Sequence, residues 1–277
     1  MYIEMLLNYL PGIGKKTEKN LRDHGINTWS DLLSHEQISY LNASKIQQIK
    51  SIAREYLIKL QSEPVQFIES TFKQKDKFVL FGDFKDSVAY FDIETTGPSP
   101  ATDHITTIAI WNGTEVRTFV KGENLEEFQS EINKYKLLVS FYGSCFDIPF
   151  LKSDLRVNFS KHLHIDLCFV LRSLGLCGGL KAIEKKCGLH RGNLVDFDGA
   201  MAITLWYKYQ KTKDRKYLET LLAYNVEDVV NLEYLMYLAW NMGRTHYALN
   251  LPEIPLKERT FINPFKVDNS VLKELGL

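Results

Sequence analysis

The sequence predicts an α/β protein, in which a mixed β-sheet is flanked by helices and preceded by a small all-helical region. From about residue 79, short runs rich in β-branched and aromatic residues replace the helical spacing seen earlier in the chain. The pair Asn112-Gly113, between two of these runs, is a strong β-hairpin signal. Three successive strands, followed by strands that alternate with helices, are typical of a mixed sheet covered by helices on both faces.

The spacing of apolar residues sets the predicted elements and their grouping. The predicted strands are 88–94, 105–111, 116–120, 137–141 and a short one near 162–165. The predicted helices include 45–60, 125–136, 167–174 and 218–240. Pro64 is expected to close the first helical region. We therefore expect a helical module at 1–62, a linker at 63–85, the main α/β domain at 86–242 and a C-terminal extension at 243–277 that runs over the surface.

Composition excludes several classes of protein. The chain has 277 residues and a formal net charge of zero, so overall charge gives no indication of a nucleic-acid or membrane partner. The four cysteines have no C-x-x-C spacing, which favours buried free thiols in a reducing compartment over a zinc site. No apolar run reaches the ~18–20 residues that span a bilayer, and Met1 is not followed by a basic signal-peptide region. We expect a cytoplasmic protein without membrane contact.

Two acidic residues, Asp92 and Glu94, interrupt an apolar strand. Positions i and i+2 of a strand face the same side, so both carboxylates are expected to project from one spot. Carboxylates that lie close together repel one another, and burying one without a partner is costly. The pattern therefore indicates a bound divalent cation; the alternative is a pair on the surface of a strand.

Three further residues are expected to join this pair. Asp147 follows the predicted strand 137–141, and Tyr224 and Asp228 are four residues apart on one helix face. Oxygen-only ligands select hard cations, so we expect Mg²⁺ or Mn²⁺, two ions per site, in the arrangement used to cleave phosphodiesters. Tyr224 would orient the attacking water.

These motifs resemble a known family. Asp92-Ile-Glu-Thr-Thr-Gly97, Gly143-x-x-Phe-Asp147-x-Pro-Phe-Leu151 and Tyr224-x-x-x-Asp228 resemble the three exonuclease motifs of the DEDD superfamily, tyrosine subclass, which includes the proofreading domains of B-family DNA polymerases. Gly179-Leu-Lys-Ala-Ile-Glu184 and Asp198-Gly-Ala-Met-Ala202 are most similar to YprB-type proteins. The resemblance covers about residues 86–242. It implies an RNase H-like fold and a 3′→5′ exonuclease with metal ligands Asp92, Glu94 and Asp228, and with Asp147 acting directly or through water.

One position departs from the family pattern. The second motif usually has an asparagine about five residues before its aspartate, and Tyr142 stands there. Because that asparagine is associated with holding substrate, Tyr142 supports the alternative of a catalytically weak nucleic-acid-binding or adaptor protein with the same fold. A structure-specific endonuclease is a further alternative, since RNase H-like sheets also support internal cleavage. The expected substrate is a single-stranded DNA or RNA 3′ end.

The N-terminal segment contains a turn rich in glycine and lysine. Residues 10–25 resemble a helix-hairpin-helix motif, in which Gly12 and Gly14 allow close backbone approach and Lys15 and Lys16 add positive charge at a helix start. Lys19 and Arg22 extend the basic run. We expect sequence-independent binding of nucleic acid here, including duplex DNA. The alternative is an ordinary Pro-Gly turn between helices.

Several other residues have weaker signals. Thr95 and Thr96 are candidates for contact with the terminal nucleotide, and Phe146 for stacking on a base. Between residues 152 and 191 there are eight Lys or Arg and three acids, which indicates either a phosphate-facing patch or a solvated surface. Within it, Lys181 and Arg191 are expected on a solvated helix face unless they contact phosphate. Asp166 is expected to cap the helix that follows it.

Overall fold

The structure, a computed structural model, describes residues 1–36, 38, 41–256 and 260–277. Its described part forms one five-stranded mixed sheet in the order β3-β2-β1-β4-β5. The strands are β1 Val88–Thr95, β2 Ile105–Trp111, β3 Val116–Val120, β4 Leu137–Ser140 and β5 Leu163–Asp166. β1, β2 and β3 pair antiparallel, whereas β4 and β5 continue the sheet in parallel from β1. The predicted fold class and all five strands are confirmed.

Helices precede the sheet, connect its strands and cover it. The α-helices are α1 Lys15–Asp23, α2 Trp29–Ser34, α3 Ala43–Ser62, α4 Pro64–Thr71, α5 Leu80–Phe84, α6 Phe128–Ile132, α7 Asp147–Asp154, α8 Leu167–Ser173, α9 Leu180–Lys186, α10 Gly199–Thr212, α11 Arg215–His246 and α12 Asn269–Glu274. The predicted all-helical region 1–62 contains residues 37, 39 and 40, which lie outside the described residues.

The alternation of side chains along β1 divides the core into two layers. Phe91 and Ile93 point to one face, where they join a cluster with residues of α6 and α7 such as Phe128. Tyr90 points to the opposite face and belongs to the cluster that includes α11. Asp92 and Glu94 have the same parity as Tyr90, so they lie between β1 and α11.

Two predicted helices differ most from those observed. The segment predicted as one helix over 125–136 is a 3₁₀ turn, Leu125–Glu127, followed by the short α6. It ends early because the backbone N–H of Lys136 already donates to Ser87 O, which draws the chain into the sheet. α11 is longer than the predicted 218–240, since Asp214 caps its start and the helix continues beyond Trp240.

The stretch 63–85, predicted as a linker, is largely helical. Pro64 stands at the first position of α4, where its missing N–H costs nothing, so it starts a new helix as well as following α3. Phe78–Phe81 are completely buried, and a 3₁₀ turn, Gln74–Val79, leads into α5. These side chains join the N-terminal helices to the sheet in one hydrophobic cluster. The domain boundaries themselves stay a prediction.

A close ring contact links the first residues to the end of α11. The rings of Tyr2 and Trp240 lie 5.6 Å apart, centre to centre, in a T-shaped arrangement. Gly82 lies against both rings, because a Cβ there would come within 2.3 Å of Trp240 and 2.7 Å of Tyr2. The N-terminal region therefore packs directly on the long helix.

The C-terminal extension follows α11. Trp240 Nε1 donates to Pro252 O at 2.8 Å, and Asn263 Nδ2 donates to Ala223 O at 2.9 Å. α12 ends the chain, and its Val271 is fully buried. The extension was predicted to start at residue 243, but α11 continues to His246.

The structure bears on the expectations about the cysteines and about membrane-spanning segments. All four cysteines are free, yet only Cys168 is buried, so the prediction of buried thiols is wrong for the exposed Cys145 and Cys177. In the described chain, no helix combines the length and hydropathy needed to cross a bilayer.

Candidate metal centre

The candidate centre lies between β1 and α11. α11 crosses the face of the sheet to which Asp92 and Glu94 point, and its buried positions include Tyr224, Asn225 and Asp228. Tyr224 and Asp228 are one helical turn apart, so the phenol and the carboxylate face β1 together. The structure therefore brings together side chains from distant parts of the sequence, as the motifs predict.

Three carboxylates form a compact group. One oxygen from each of Asp92, Glu94 and Asp228 can be chosen so that all lie within 4.8 Å of one another. Glu94 and Asp228 are buried, at 8% and 6% exposure. An all-oxygen donor set of this kind suits a hard divalent ion such as Mg²⁺ or Mn²⁺. The described residues thus include a group that could hold a metal.

The electrostatics of the group favour a bound cation. Burial, and then the negative charge of Asp147, raises the pKa of Asp92 well above its usual range. Burial, and then the charge of Asp228, does the same to Glu94. Without a cation, the carboxylates therefore resist ionisation, whereas a divalent ion would stabilise their charged forms.

Asp147 lies beside this group but is not one of its three members. It is 3% exposed, and its Oδ1 has no hydrogen-bond partner. Burial first, and then the charge of Asp166, raises its pKa to about 7. A buried carboxylate oxygen without a partner fits the predicted role of Asp147, which is to contact a metal directly or through water.

The turn between β4 and α7 sets the position of Asp147. Tyr142 has a left-handed backbone, with φ of +64°. Gly143 follows, where a Cβ would come within 2.1 Å of Ser140 Oγ, so only glycine fits. Asp166 fixes the turn by accepting from the backbone N–H groups of Tyr142, at 2.8 Å, and Ser144, at 3.0 Å.

Asp166 also confirms its predicted role as a helix cap. Its carboxylate accepts from Cys168 N at 3.1 Å, at the start of α8. It therefore joins the second motif to β5 and α8, and it does so while fully buried.

Tyr224 faces the acids with its ring held by neighbours. The ring of Phe197 lies 4.5 Å away, and Lys181 Nζ lies 5.1 Å from the Tyr224 ring centre. Burial, and then the charge of Asp228, raises the pKa of Tyr224. The phenol therefore stays protonated at neutral pH and can donate a hydrogen bond.

Asn225 is a site residue that the sequence analysis did not identify. Its Nδ2 donates to Asp92 Oδ2 at 2.8 Å, and Thr107 Oγ1 donates to Asn225 Oδ1 at 3.2 Å. The amide thus fixes one oxygen of Asp92 and leaves the other free. Its place beside Tyr224 in the third motif was the only signal for it.

Arg191 also differs from expectation. Its side chain is 2% exposed and forms ion pairs with Glu184 and Asp228, so the prediction that it lies on a solvated helix face is wrong. Lys181, on α9, is half-buried, and its charge lowers the pKa of Glu94 against the larger effect of burial. The basic stretch 152–191 therefore places two cations at the acids.

Thr95, Thr96 and Phe146 lie near the ends of the strands, and their substrate contacts stay predictions. Thr95 Oγ1 donates to Gly97 O at 2.6 Å, and Thr96 Oγ1 accepts from His104 N at 2.9 Å. Both hydroxyls therefore hold the loop after β1. Phe146 precedes α7, with its ring 4.9 Å from that of Phe150.

The N-terminal candidates belong to a separate part of the fold. Gly12 has φ of +88° and Gly14 caps α1, which begins with the exposed Lys15 and Lys16. Before this turn, within the region 1–62 that was predicted to be helical, the chain forms two 3₁₀ turns, Tyr2–Met5 and Leu7–Tyr9. Arg22 donates to Met5 O and Glu18, each at 2.7 Å, so it contributes less free charge than expected.

Comparison with known proteins assigns the fold to a family. The RNase H superfamily profile matches residues 89–240, more than half of the chain, and the protein belongs to that superfamily. A search among curated proteins gave no significant match. One similar solved structure is the family B DNA polymerase from the hyperthermophilic archaeon Pyrobaculum calidifontis, at 19% identity and a TM-score of 0.42 over 56% of this chain. The match spans 25% of that polymerase chain.

Proposed function

We propose that this protein is a metal-dependent 3′→5′ exonuclease that hydrolyses phosphodiester bonds of single-stranded nucleic acid. The observation on which the proposal depends is the group of Asp92, Glu94 and Asp228, in which one oxygen from each residue lies within 4.8 Å of the others. Membership of the RNase H superfamily supports nuclease chemistry at this sheet. The polarity of attack and the single-stranded substrate rest on the likeness of the three motifs to the tyrosine subclass of DEDD exonucleases.

Asp92, Glu94 and Asp228 would hold the divalent ions, predicted as two Mg²⁺ or Mn²⁺, with Asp147 beside them. When bound, such ions supply an activated water and neutralise charge on the leaving oxygen. Asn225 orients Asp92 through the 2.8 Å hydrogen bond to Oδ2, which keeps Oδ1 directed away from the amide. The protein's contribution is therefore a set of prepositioned oxygens.

Tyr224 and Lys181 would act on the substrate. Because its pKa is raised by burial, Tyr224 keeps its proton and would donate a hydrogen bond to the attacking water or to a phosphate oxygen. Lys181 Nζ, close to the Tyr224 ring, would face the phosphate as a positive charge. Burial raises the pKa of Asp147 to about 7 in the metal-free protein, and a divalent ion bound beside it would favour its charged form.

The N-terminal turn would supply a second contact with nucleic acid. The exposed Lys15 and Lys16 stand at the start of α1, where free backbone N–H groups favour a phosphate. Binding of this kind is insensitive to sequence and sensitive to salt. It would bring single-stranded or duplex nucleic acid to the protein, and the acids would then act on the 3′ end.

Degradation of end-labelled strands tests the proposal. Single-stranded DNA and RNA with a 5′ label are incubated with the protein and Mg²⁺ or Mn²⁺, and the same is done with Asp92→Asn and Asp228→Asn. Asp86→Asn is the matched control, because the Asp86 side chain is 90% exposed. We expect products that shorten from the 3′ end with wild type and the control, and none with the two site variants.

Two further substrates separate the alternatives. A strand blocked by 3′ phosphorothioates should resist an exonuclease, and a circular strand should stay intact. Cleavage of the circle would favour the endonuclease. Binding of the strand without degradation under either metal would favour the adaptor protein and overturn the proposal.

A further inference from the structure

A buried arginine contacts the acidic group. Arg191 lies after α9, and its side chain is 2% exposed. Its Nε donates to Glu184 Oε2 at 2.5 Å, and its Nη2 donates to Glu184 Oε1 at 2.7 Å. Two parallel hydrogen bonds to one carboxylate fix the plane and direction of a guanidinium group.

Glu184 is itself held in place. It is 1% exposed and stands on α9, and its Oε1 also accepts from Asn231 Nδ2 at 2.9 Å. Asn231 is on α11, three residues after Asp228 and on the same side of the helix. Because the helix that provides Asp228 also provides the anchor for Glu184, the guanidinium has a fixed position relative to Asp228.

The remaining nitrogen of the guanidinium points at the acids. With Nε and Nη2 occupied by Glu184, Arg191 Nη1 forms an ion pair with Asp228 Oδ1. The positive charge also acts on the other two acids, since it lowers the pKa of Asp92 and Glu94 against the larger effect of burial. Arg191 therefore takes part in the charge balance of the whole group.

The protein itself uses some of the carboxylate oxygens of the three acids. Asp92 Oδ2 accepts from Asn225, and Asp228 Oδ1 pairs with Arg191. The other oxygen of each aspartate and both oxygens of Glu94 are left for metal, and Asp147 Oδ1 lies beside them without a hydrogen-bond partner. A single hard ion that keeps several waters needs only a few such oxygens, whereas two adjacent ions need more of them.

We propose that Arg191 is the second cation of this centre: it holds Asp228 Oδ1, an oxygen that a second divalent ion would otherwise use. The free protein then binds one divalent ion, at Asp92, Glu94 and Asp228. This inference rests on the metal-dependent function proposed above and changes its cation complement to one ion and one guanidinium. Arg191 contacts a metal ligand, so it is a positioning residue for Asp228.

Binding of Mn²⁺ without nucleic acid tests this directly. Free Mn²⁺ is followed by electron paramagnetic resonance during titration of wild type, Glu184→Gln and the double variant Glu184→Gln/Arg191→Gln. The double variant removes both charges of the Glu184–Arg191 pair, and it leaves Asp228 without its guanidinium partner in the metal-free protein. The exposed pair of Arg215 and Glu123 provides the matched control, Glu123→Gln/Arg215→Gln.

We expect Mn²⁺ binding to decrease in Glu184→Gln and to increase in the double variant. Wild type and the control should bind one Mn²⁺, and the double variant should bind two, because Asp228 then has both oxygens free. Glu184→Gln leaves Arg191 without its main partner, so Arg191 pairs more closely with Asp228 and Mn²⁺ affinity should fall about tenfold. A purely structural role for Arg191 would weaken binding in both variants.

Two outcomes would overturn the inference. The inference is wrong if the wild type binds any number of Mn²⁺ ions other than one. It is also wrong if the folded double variant binds one Mn²⁺ ion or none. The nuclease assay tests the proposed function independently. If the wild type binds two Mn²⁺ ions and degrades the strands, the proposed role of Arg191 is wrong and the proposed exonuclease function is supported. Conversely, if the wild type binds one Mn²⁺ ion and the double variant two, while no strand is degraded, the role of Arg191 is supported and the exonuclease function is rejected.

Discussion

Asn225 donates a hydrogen bond from Nδ2 to Asp92 Oδ2 at 2.8 Å, across a sequence separation of 133 residues. The bond ties α11 to β1 at the point where the acids meet, and Asn225 is completely buried. Since Asn225 adds no charge of its own, it orients Asp92 without competing for a metal. The position of the acidic group thus depends on a neutral amide as well as on the carboxylates.

We expect Asn225→Ala to lower the free energy of unfolding by about 1–3 kcal/mol, because Asp92 and Thr107 each lose a buried hydrogen-bond partner. Urea denaturation of the metal-free protein measures the change. Asn250→Ala, at an exposed position, is the control and should leave stability unaltered. If Asn225→Ala matches the control, the hydrogen bond does not stabilise the centre.

Stability of the metal-free protein should fall as pH rises from about 4 to about 7. Burial raises the pKa of Asp147 from 3.8 to about 7, so the folded state holds a proton that the unfolded state has already lost. More protons on the folded state mean that rising pH favours unfolding, by at most about 1.4 kcal/mol per pH unit for each such group. Urea denaturation in EDTA across this range measures the slope.

Asp147→Asn should reduce that slope, because the amide does not titrate. The remainder comes from the other acids, since Asp92 and Glu94 also have raised pKa values. Asp86→Asn, at an exposed acid, should keep the wild-type slope. Equal slopes for wild type and Asp147→Asn would contradict the raised pKa of Asp147.

Replacing Tyr142 by asparagine should stabilise the turn before α7. Tyr142 has φ of +64°, a left-handed conformation that costs most residues ~1–2 kcal/mol and that asparagine tolerates better. The gain is reduced by the lost contact with Phe169, whose ring centre lies 6.4 Å away. We expect a net increase in unfolding free energy of roughly 0.5–1 kcal/mol, measured by urea denaturation.

Tyr142→Phe separates the two contributions. It keeps the ring and the backbone strain, so its stability should equal that of wild type. A Tyr142→Asn variant less stable than both would mean that the ring contact outweighs the strain. The same variants in the nuclease assay test whether asparagine at this position improves the handling of substrate.

Lys15→Ala/Lys16→Ala should weaken binding of nucleic acid and reduce its dependence on salt. Each lost phosphate contact is expected to lower the slope of log affinity against log salt by about 0.7–0.9. Fluorescence anisotropy with a labelled single strand and a labelled duplex measures both quantities. Lys211→Ala/Lys266→Ala, at two exposed lysines elsewhere, is the matched control; equal loss in both double variants would argue against a specific role for the N-terminal turn.

Local patterns in the sequence predict most of the sheet and the acids. Alternating β-branched residues and Asn112-Gly113 identify the strands to within one residue at each end. The i, i+2 spacing of Asp92 and Glu94 predicts their shared face without any knowledge of the partner helix. These features depend only on neighbouring residues, which is why the sequence is sufficient for them.

The supporting polar contacts could not be predicted in the same way. Arg191 meets Asp228 and Glu184 only after α9 and α11 have packed, and no periodicity in the sequence marks such a contact. A charged residue in a basic stretch is expected on the solvated surface, so the burial of Arg191 could not be predicted without the tertiary structure. Similarly, Pro64 signals a helix boundary but does not reveal that another helix begins there.

The contact of Tyr2 with Trp240 has a consequence for biosynthesis. During translation Tyr2 is synthesised at the start, whereas Trp240 is added only after most of the chain has been made. Until then the N-terminal helices lack the ring against which Tyr2 packs, and Gly82 has only one of its two aromatic neighbours. Since contacts of such wide sequence separation form late and slowly, the N-terminal region completes its packing after translation has passed the end of α11.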